Sequence, residues 1–176
     1  MKRRPLPKPV AARRTGNRAM TLIECVGASI ILAVIAVAAV RAAAGAATAQ
    51  ALSSRRVTAT MLAESLLGEI ERKPYSDPST QATLGRDAGE SATDKTTFDD
   101  VDDYDGWTES PPQDSTGNEI DGMSDWTRKV AVVWSDMGPL IPERGGDTGL
   151  KSVTVSVYYK SKLMCEMHSL RAPDER

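Results

Sequence analysis

Few residues in this chain have the types and spacing to do chemistry. The densest carboxylate run is "FDDVDDYDGW" at 98–107, and its natural chemistry would be calcium binding. An EF-hand frame with its invariant glycine at Gly106 needs an acid at Val101 and a glutamate at Pro112, so that motif fails. The run reads as a solvated acidic turn pinned by Tyr104 and Trp107. Asp103 and Asp105 are the residues that would meet an ion if one bound. No metal or cofactor is expected. His168 is the only histidine, with no base–nucleophile pair or zinc set spaced around it, so it reads as a strand side chain. Cys25 and Cys165 allow at most one disulfide but lie in segments of different character, so each reads as a packing thiol. No catalytic constellation emerges, and the chain does not read as an enzyme. One carboxylate remains out of place. Glu24 is the sole charge in "MTLIECVGASIILAVIAVAAV", Met20 to Val40, and a charge at a bilayer centre costs about 2.5–3.5 kcal/mol. It must either snorkel to water or find a partner.

The elements around these residues set what they can do. As a helix, Met20 to Val40 would span about 31 Å against a hydrocarbon core of about 30 Å. It is too long for the core of an ordinary signal peptide. Residues 1–19 carry Lys2, Arg3, Arg4, Lys8, Arg13, Arg14 and Arg18 with no acid, and the rest of the chain is strongly acidic. A basic arm ahead of an apolar span reports orientation: N-terminus in the cytoplasm, remainder outside, no nucleic-acid partner. Helical character continues through 41–73, where Ala59, Leu62, Leu66 and Ile70 form one apolar stripe with Ala63 and Leu67 beside it. Pro74 ends it. Residues 74–125 hold 14 acidic residues against Arg86 and Lys95 and read as a long acidic loop. Strand-like alternation follows at 126–135, 150–160 and 162–170, with "KSK" at 160–162 as a hairpin link. These patterns place Val130, Val132 and Trp134 on one face, Val153, Val155, Val157 and Tyr159 on another, and Leu163, Cys165 and Met167 together on the third strand. The predicted fold is α+β: one long N-terminal helix, about 20–73, whose C-terminal half packs on a small antiparallel sheet of about three strands. The expected organisation is 1–19 leader, 20–40 apolar helix, 41–73 amphipathic helix, 74–125 acidic loop and 126–176 sheet and tail.

A basic leader, a small residue, "MTLIE", an apolar helix, an amphipathic extension and a terminal sheet together resemble the type IV pilin family, including the pseudopilins of type II secretion. Ala19, Met20, Thr21, Leu22, Ile23 and Glu24 occupy the junction positions, with Ala19 standing where the family usually has glycine. The resemblance implies a minor pilin or minor pseudopilin of the inner membrane. A prepilin peptidase would cut between Ala19 and Met20 and methylate the new Met20 amine. Glu24 would then pair with the amine of a neighbouring subunit as the chain joins a pilus or secretion pseudopilus. Implied partners are the peptidase, other pilin or pseudopilin subunits through their N-terminal helices, the inner-membrane assembly platform and the lipid bilayer. The competing expectation is a signal-anchored periplasmic binding or adhesion domain that never polymerises.

Overall fold

The computed structural model describes residues 21–77, 84–135 and 148–173. The chain divides into two compact units, one ending at Ala47 and the other beginning at Thr48.

The first unit is the opening part of helix α1, Leu22–Ile70. It is apolar all round, and its large side chains face outward: Leu22, Ile23, Ile31 and Val40 are 85%, 77%, 61% and 70% exposed. The helix is long and apolar enough to cross a membrane, and none of its apolar window is buried. A single-pass anchor is compatible with these properties.

The second unit is α+β. Here the remainder of α1 buries the stripe Ala59, Leu62, Ala63, Leu66, Leu67 and Ile70. Alternating steps of three and one residues keep that set on one helical face. The four large side chains each contribute about 1.5–3 kcal/mol by leaving water. Helical hydrogen bonding tightens at the end, with Arg72 N–H donating to the Glu69 carbonyl (3.3 Å) and Lys73 N–H to that of Ile70 (3.0 Å). α1 therefore begins two residues later and ends three earlier than its sequence pattern predicts.

The sheet has four antiparallel strands rather than three, in the order β1-β2-β3-β4. They are β1 Thr108–Glu109, β2 Trp126–Trp134, β3 Lys151–Tyr159 and β4 Lys162–Arg171. β1 escapes a pattern reading because it is only two residues long. Trp126, Val130, Val132 and Trp134 of β2 and Val153, Val155 and Val157 of β3 point into the core, as their alternation predicts. β4 departs from its predicted phase. Val157 pairs with Cys165 but Tyr158 pairs with Leu163, so Met164 is an extra residue. Such a bulge flips the side-chain faces before it. Leu163 is 48% exposed, while Met164, Cys165 and Met167 pack against the core. The β3–β4 turn holds Lys160 and Ser161 at φ 48° and 65°, a conformation usually left to Asn-Gly. Asp125 secures it, its carbonyl accepting from Lys160 N–H (2.9 Å) and its carboxylate pairing with Lys160 Nζ (3.3 Å).

The acidic segment is more ordered than a solvated loop. It contains 3-10 turns at Lys95–Thr97 and Asp102–Tyr104 as well as β1. Phe98 meets Tyr104 and Trp107 edge-on at 5.0 and 5.1 Å, and all three rings are buried with Val101 beneath the helix stripe.

A chain beginning at Ala46 keeps the helix stripe and should unfold cooperatively on heating. One beginning at Pro74 lacks the stripe and should show no cooperative melt. Equal melting of the two would show that the stripe does not hold the sheet.

Candidate functional site

The processing junction Ala19–Met20 lies outside the described residues, which begin with Thr21. Glu24 lies just inside α1. Its Oε2 accepts from both the Thr21 N–H and the Thr21 hydroxyl, each at 2.8 Å, and its own N–H reaches Thr21 Oγ1 at 3.4 Å. Thr21 is thus the N-cap and Glu24 the third helical residue of a reciprocal capping box. The spacing Thr-x-x-Glu was legible as that signature. In this structure Glu24 neither stands unpartnered nor depends on another chain for all of its hydrogen bonds.

Asp103 and Asp105 do not converge. Asp103 Oδ2 accepts from the N–H groups of Asp99 and Asp100 at 2.8 and 3.0 Å, whereas Asp105 Oδ1 accepts from Val132 N–H of β2 at 3.0 Å. The oxygens gathered near Asp103 are those of Glu90 and Asp99, all within 4.8 Å of one another. Neighbouring Asp100 turns inward too, its Oδ1 accepting from Asp102 N–H (2.6 Å) and Asp103 N–H (3.3 Å). Most of this acidity folds its own loop. Burial pushes the Asp103 carboxyl up to about 6, helped by a hydrogen bond to the Glu90 carboxyl, which requires a proton between them. Burial also carries Asp102 to about 6, outweighing the attraction of Lys151 at 2.7 Å.

A larger charged assembly was not anticipated from the sequence. Glu109 of β1 has no exposed side-chain surface and pairs with Lys95 at 3.0 Å and with Arg128 of β2. Lys95 also meets Glu69 of α1 at 2.9 Å, and Arg128 donates to the Leu62 carbonyl at 3.1 Å. The Tyr104 hydroxyl donates to Glu69 at 2.9 Å, and the Trp107 indole N–H to Glu109 at 3.1 Å. Burial pushes Glu109 up, but Arg128, Lys95 and the hydrogen bonds from the Trp107 indole and the Gln113 N–H together bring it below the ordinary carboxylate value. A second buried lysine, Lys151, reaches Asp102 and the Tyr75 carbonyl under the rings of Tyr75 (3.9 Å) and Trp134 (5.0 Å).

His168 does have hydroxyl and carboxylate neighbours, contrary to the expectation from spacing. Thr154 Oγ1 lies 2.9 Å from its Nδ1, and Glu166 Oε1 lies 3.3 Å from its Nε2. β-Pairing and strand alternation bring them together, since Thr154 faces His168 across the β3–β4 ladder. The array sits on an open sheet face, with more than a third of the His168 and Glu166 side chains exposed. Cys25 and Cys165 are both free thiols, and the Cys165 sulfur accepts from the Thr60 hydroxyl at 3.9 Å.

Comparison with known protein families, curated proteins and solved structures finds no match to this chain. Its chemistry must be argued from its own residues.

Two outcomes follow for the C-terminal unit. Glu109→Gln leaves Lys95 and Arg128 with one shared anion fewer and should cost about 3–5 kcal/mol, read as a lower urea midpoint at neutral pH. The pH dependence has a definite sign. Because the folded Asp102 and Asp103 hold protons more tightly than the unfolded chain, their contribution is lost as pH rises through about 6 and regained on acidification. The melting temperature should therefore rise between pH 7.5 and 5.5, and Asp103→Asn should flatten part of that rise.

Proposed function

We propose that the chain is a structural subunit of a helical envelope filament, a minor pilin or minor pseudopilin of the type IV pilin class. The observation that carries this reading is an apolar helix with outward side chains on every face and a single carboxylate at its third position. An anchor serving only to hold a domain in lipid needs Glu24 for nothing beyond the cap on its own helix. A helix that passes from lipid into a bundle of like helices has a use for it. Pairing with a cation of the next chain fixes register where apolar contacts alone are non-directional. The C-terminal α+β unit, the basic leader and the "AMTLIE" junction agree with the same reading.

In this mechanism residues 1–19 hold the N-terminus in the cytoplasm until a prepilin peptidase cuts between Ala19 and Met20 and methylates the Met20 amine. The mature chain waits in the inner membrane with its C-terminal unit outside the cytoplasm. An assembly platform then moves it into the filament, where the same heterologous contact repeats without closing and so builds a fibre. Gly27, Ala28, Ala33, Ala36, Ala38 and Ala39 keep parts of the helix surface low enough for backbones to approach. The chain's work is binding and positioning.

Intact mass spectrometry of protein purified from membranes tests this directly. The expected mass corresponds to a chain starting at Met20 with one added methyl group, and that species should co-purify with sheared filaments or crosslink to other subunits. A chain that retains Met1, or a mature chain found only as a monomer in the membrane, would favour an anchored binding domain.

A further inference from the structure

We propose that Lys151 and Asp102 join covalently: the Lys151 amine attacks the Asp102 carboxyl carbon, water leaves, and an amide bridge ties the acidic segment to the start of β3. The bridge is independent of the filament reading above. Lys151 Nζ lies 2.7 Å from Asp102 Oδ2, and both residues are buried. The rings of Tyr75 and Trp134 stand 3.9 and 5.0 Å from Nζ and wall the pair off. A nitrogen so close to one carboxyl oxygen needs only a small rotation to face the carbon. Well-oriented intramolecular partners react with effective molarities of about 10⁵–10⁸ M. In water the hydration of both ions opposes condensation, and burial has already removed that hydration here.

A second buried lysine–carboxylate pair shows what sets this one apart. Lys95 and Glu109 are 3.0 Å apart with no exposed side-chain surface. Arg128, however, engages Glu109 Oε2 through two nitrogens, and despite burial Glu109 stays below the ordinary carboxylate value. An anion held in that way is a poor electrophile. Asp102 differs on both counts. Its Oδ1 has no hydrogen-bond partner among the described residues, and burial carries its carboxyl up to about 6. It therefore takes a proton more readily than an ordinary aspartate and approaches the neutral acid that amide formation needs. The step balances within the pair. One Nζ proton passes to Oδ2 along the existing hydrogen bond, leaving an amine and a carboxylic acid. Nζ then bonds to Cγ, and Oδ1 carries the negative charge. A second nitrogen proton passes to Oδ2, the Cγ–Oδ2 bond breaks, and water departs while Oδ1 remains as the amide carbonyl. Asp100, near enough to interact electrostatically with both residues, is placed to relay the second proton. The product is a covalent loop from 102 to 151 that holds β1 and β2 within it.

Peptide mapping by mass spectrometry of the full chain, purified from membranes, denatured and digested with trypsin, reads the bridge. Wild type should give a branched peptide joining Asp102 to Lys151, one water lighter than its two halves together and uncut after Lys151. The joined halves separate this product from an aspartate succinimide, which loses water within a single peptide. Lys151→Met and Asp102→Ala should give separate peptides of full mass. Asp102→Asn should still bridge, expelling ammonia instead of water, and its branched peptide should have the same mass as that of wild type. A bridged Asp102 no longer titrates, so its share of the pH dependence of melting should be missing from the bridged chain. Separate peptides of full mass from folded wild-type protein, or a branch through another carboxylate, would overturn the proposal and leave Lys151 and Asp102 as an ion pair. Wild type alone decides this, so a variant that fails to fold does not obscure the result.

Discussion

Glu109 lies with no exposed side-chain surface between Lys95 and Arg128, and segments far apart in the chain meet there. α1 brings Glu69 and the Leu62 carbonyl, the acidic segment brings Lys95 and Tyr104, and β2 brings Arg128. Buried charges are costly unless every donor and acceptor finds a partner. Here the requirement is met group by group. Lys95 Nζ reaches Glu69, Glu109 and the Gln113 carbonyl, and Arg128 covers Glu109, Gln113 and Leu62 through three different nitrogens. The helix cannot slide along the sheet without stranding at least one of these ions. Apolar packing of the stripe is tolerant of small shifts, whereas this assembly admits one register.

The same logic explains how a segment with 14 acidic residues and few apolar ones is ordered at all. Phe98, Tyr104, Trp107 and Val101 make a small core, too small alone to offset the entropy of fixing so long a stretch. Carboxylates supply the remainder by accepting from backbone N–H groups of their own loop, as Asp100 and Asp103 do. Lys151 closes the arrangement from β3, bonded to Asp102 and the Tyr75 carbonyl and stacked between Tyr75 and Trp134. The residual cost falls on Asp99, Asp100, Asp102 and Asp103, where burial and neighbouring carboxylates exceed what the cations and hydrogen bonds offset, most of all at Asp102 and Asp103.

These features differ sharply in how far the sequence discloses them. Periodicity is local, so the helix stripe and the β2 and β3 faces were legible from spacing alone. β4 was legible as a strand but not in phase before its bulge, because one extra residue at Met164 reverses the alternation without altering composition. Nothing local marks Lys95 as buried or Glu69 as paired, since Glu69 meets Lys95 from 26 residues away and Lys95 meets Glu109 from the next strand. Arg128 falls on the core-facing side of an otherwise apolar strand, and that breach of alternation was the available signal. For Glu24 the sequence offered its oddity and also its answer in the Thr-x-x-Glu spacing, although the carboxylate's charge drew attention away from the cap.

The two units meet the same difficulty, charge placed away from water, with opposite outcomes. In the C-terminal unit the buried ions are closed on themselves, and the outer sheet face carries short polar side chains that already pair with one another, as Thr154, His168 and Glu166 do. The N-terminal part of α1 is the reverse. Its large apolar side chains are exposed on all sides, and among the described residues its carboxylate is bonded at one oxygen only. Lipid can cover the apolar surface but offers no charge complementary to Oε1 at a fixed position. In the filament proposed above, another helix with an amine at its end would offer both at once.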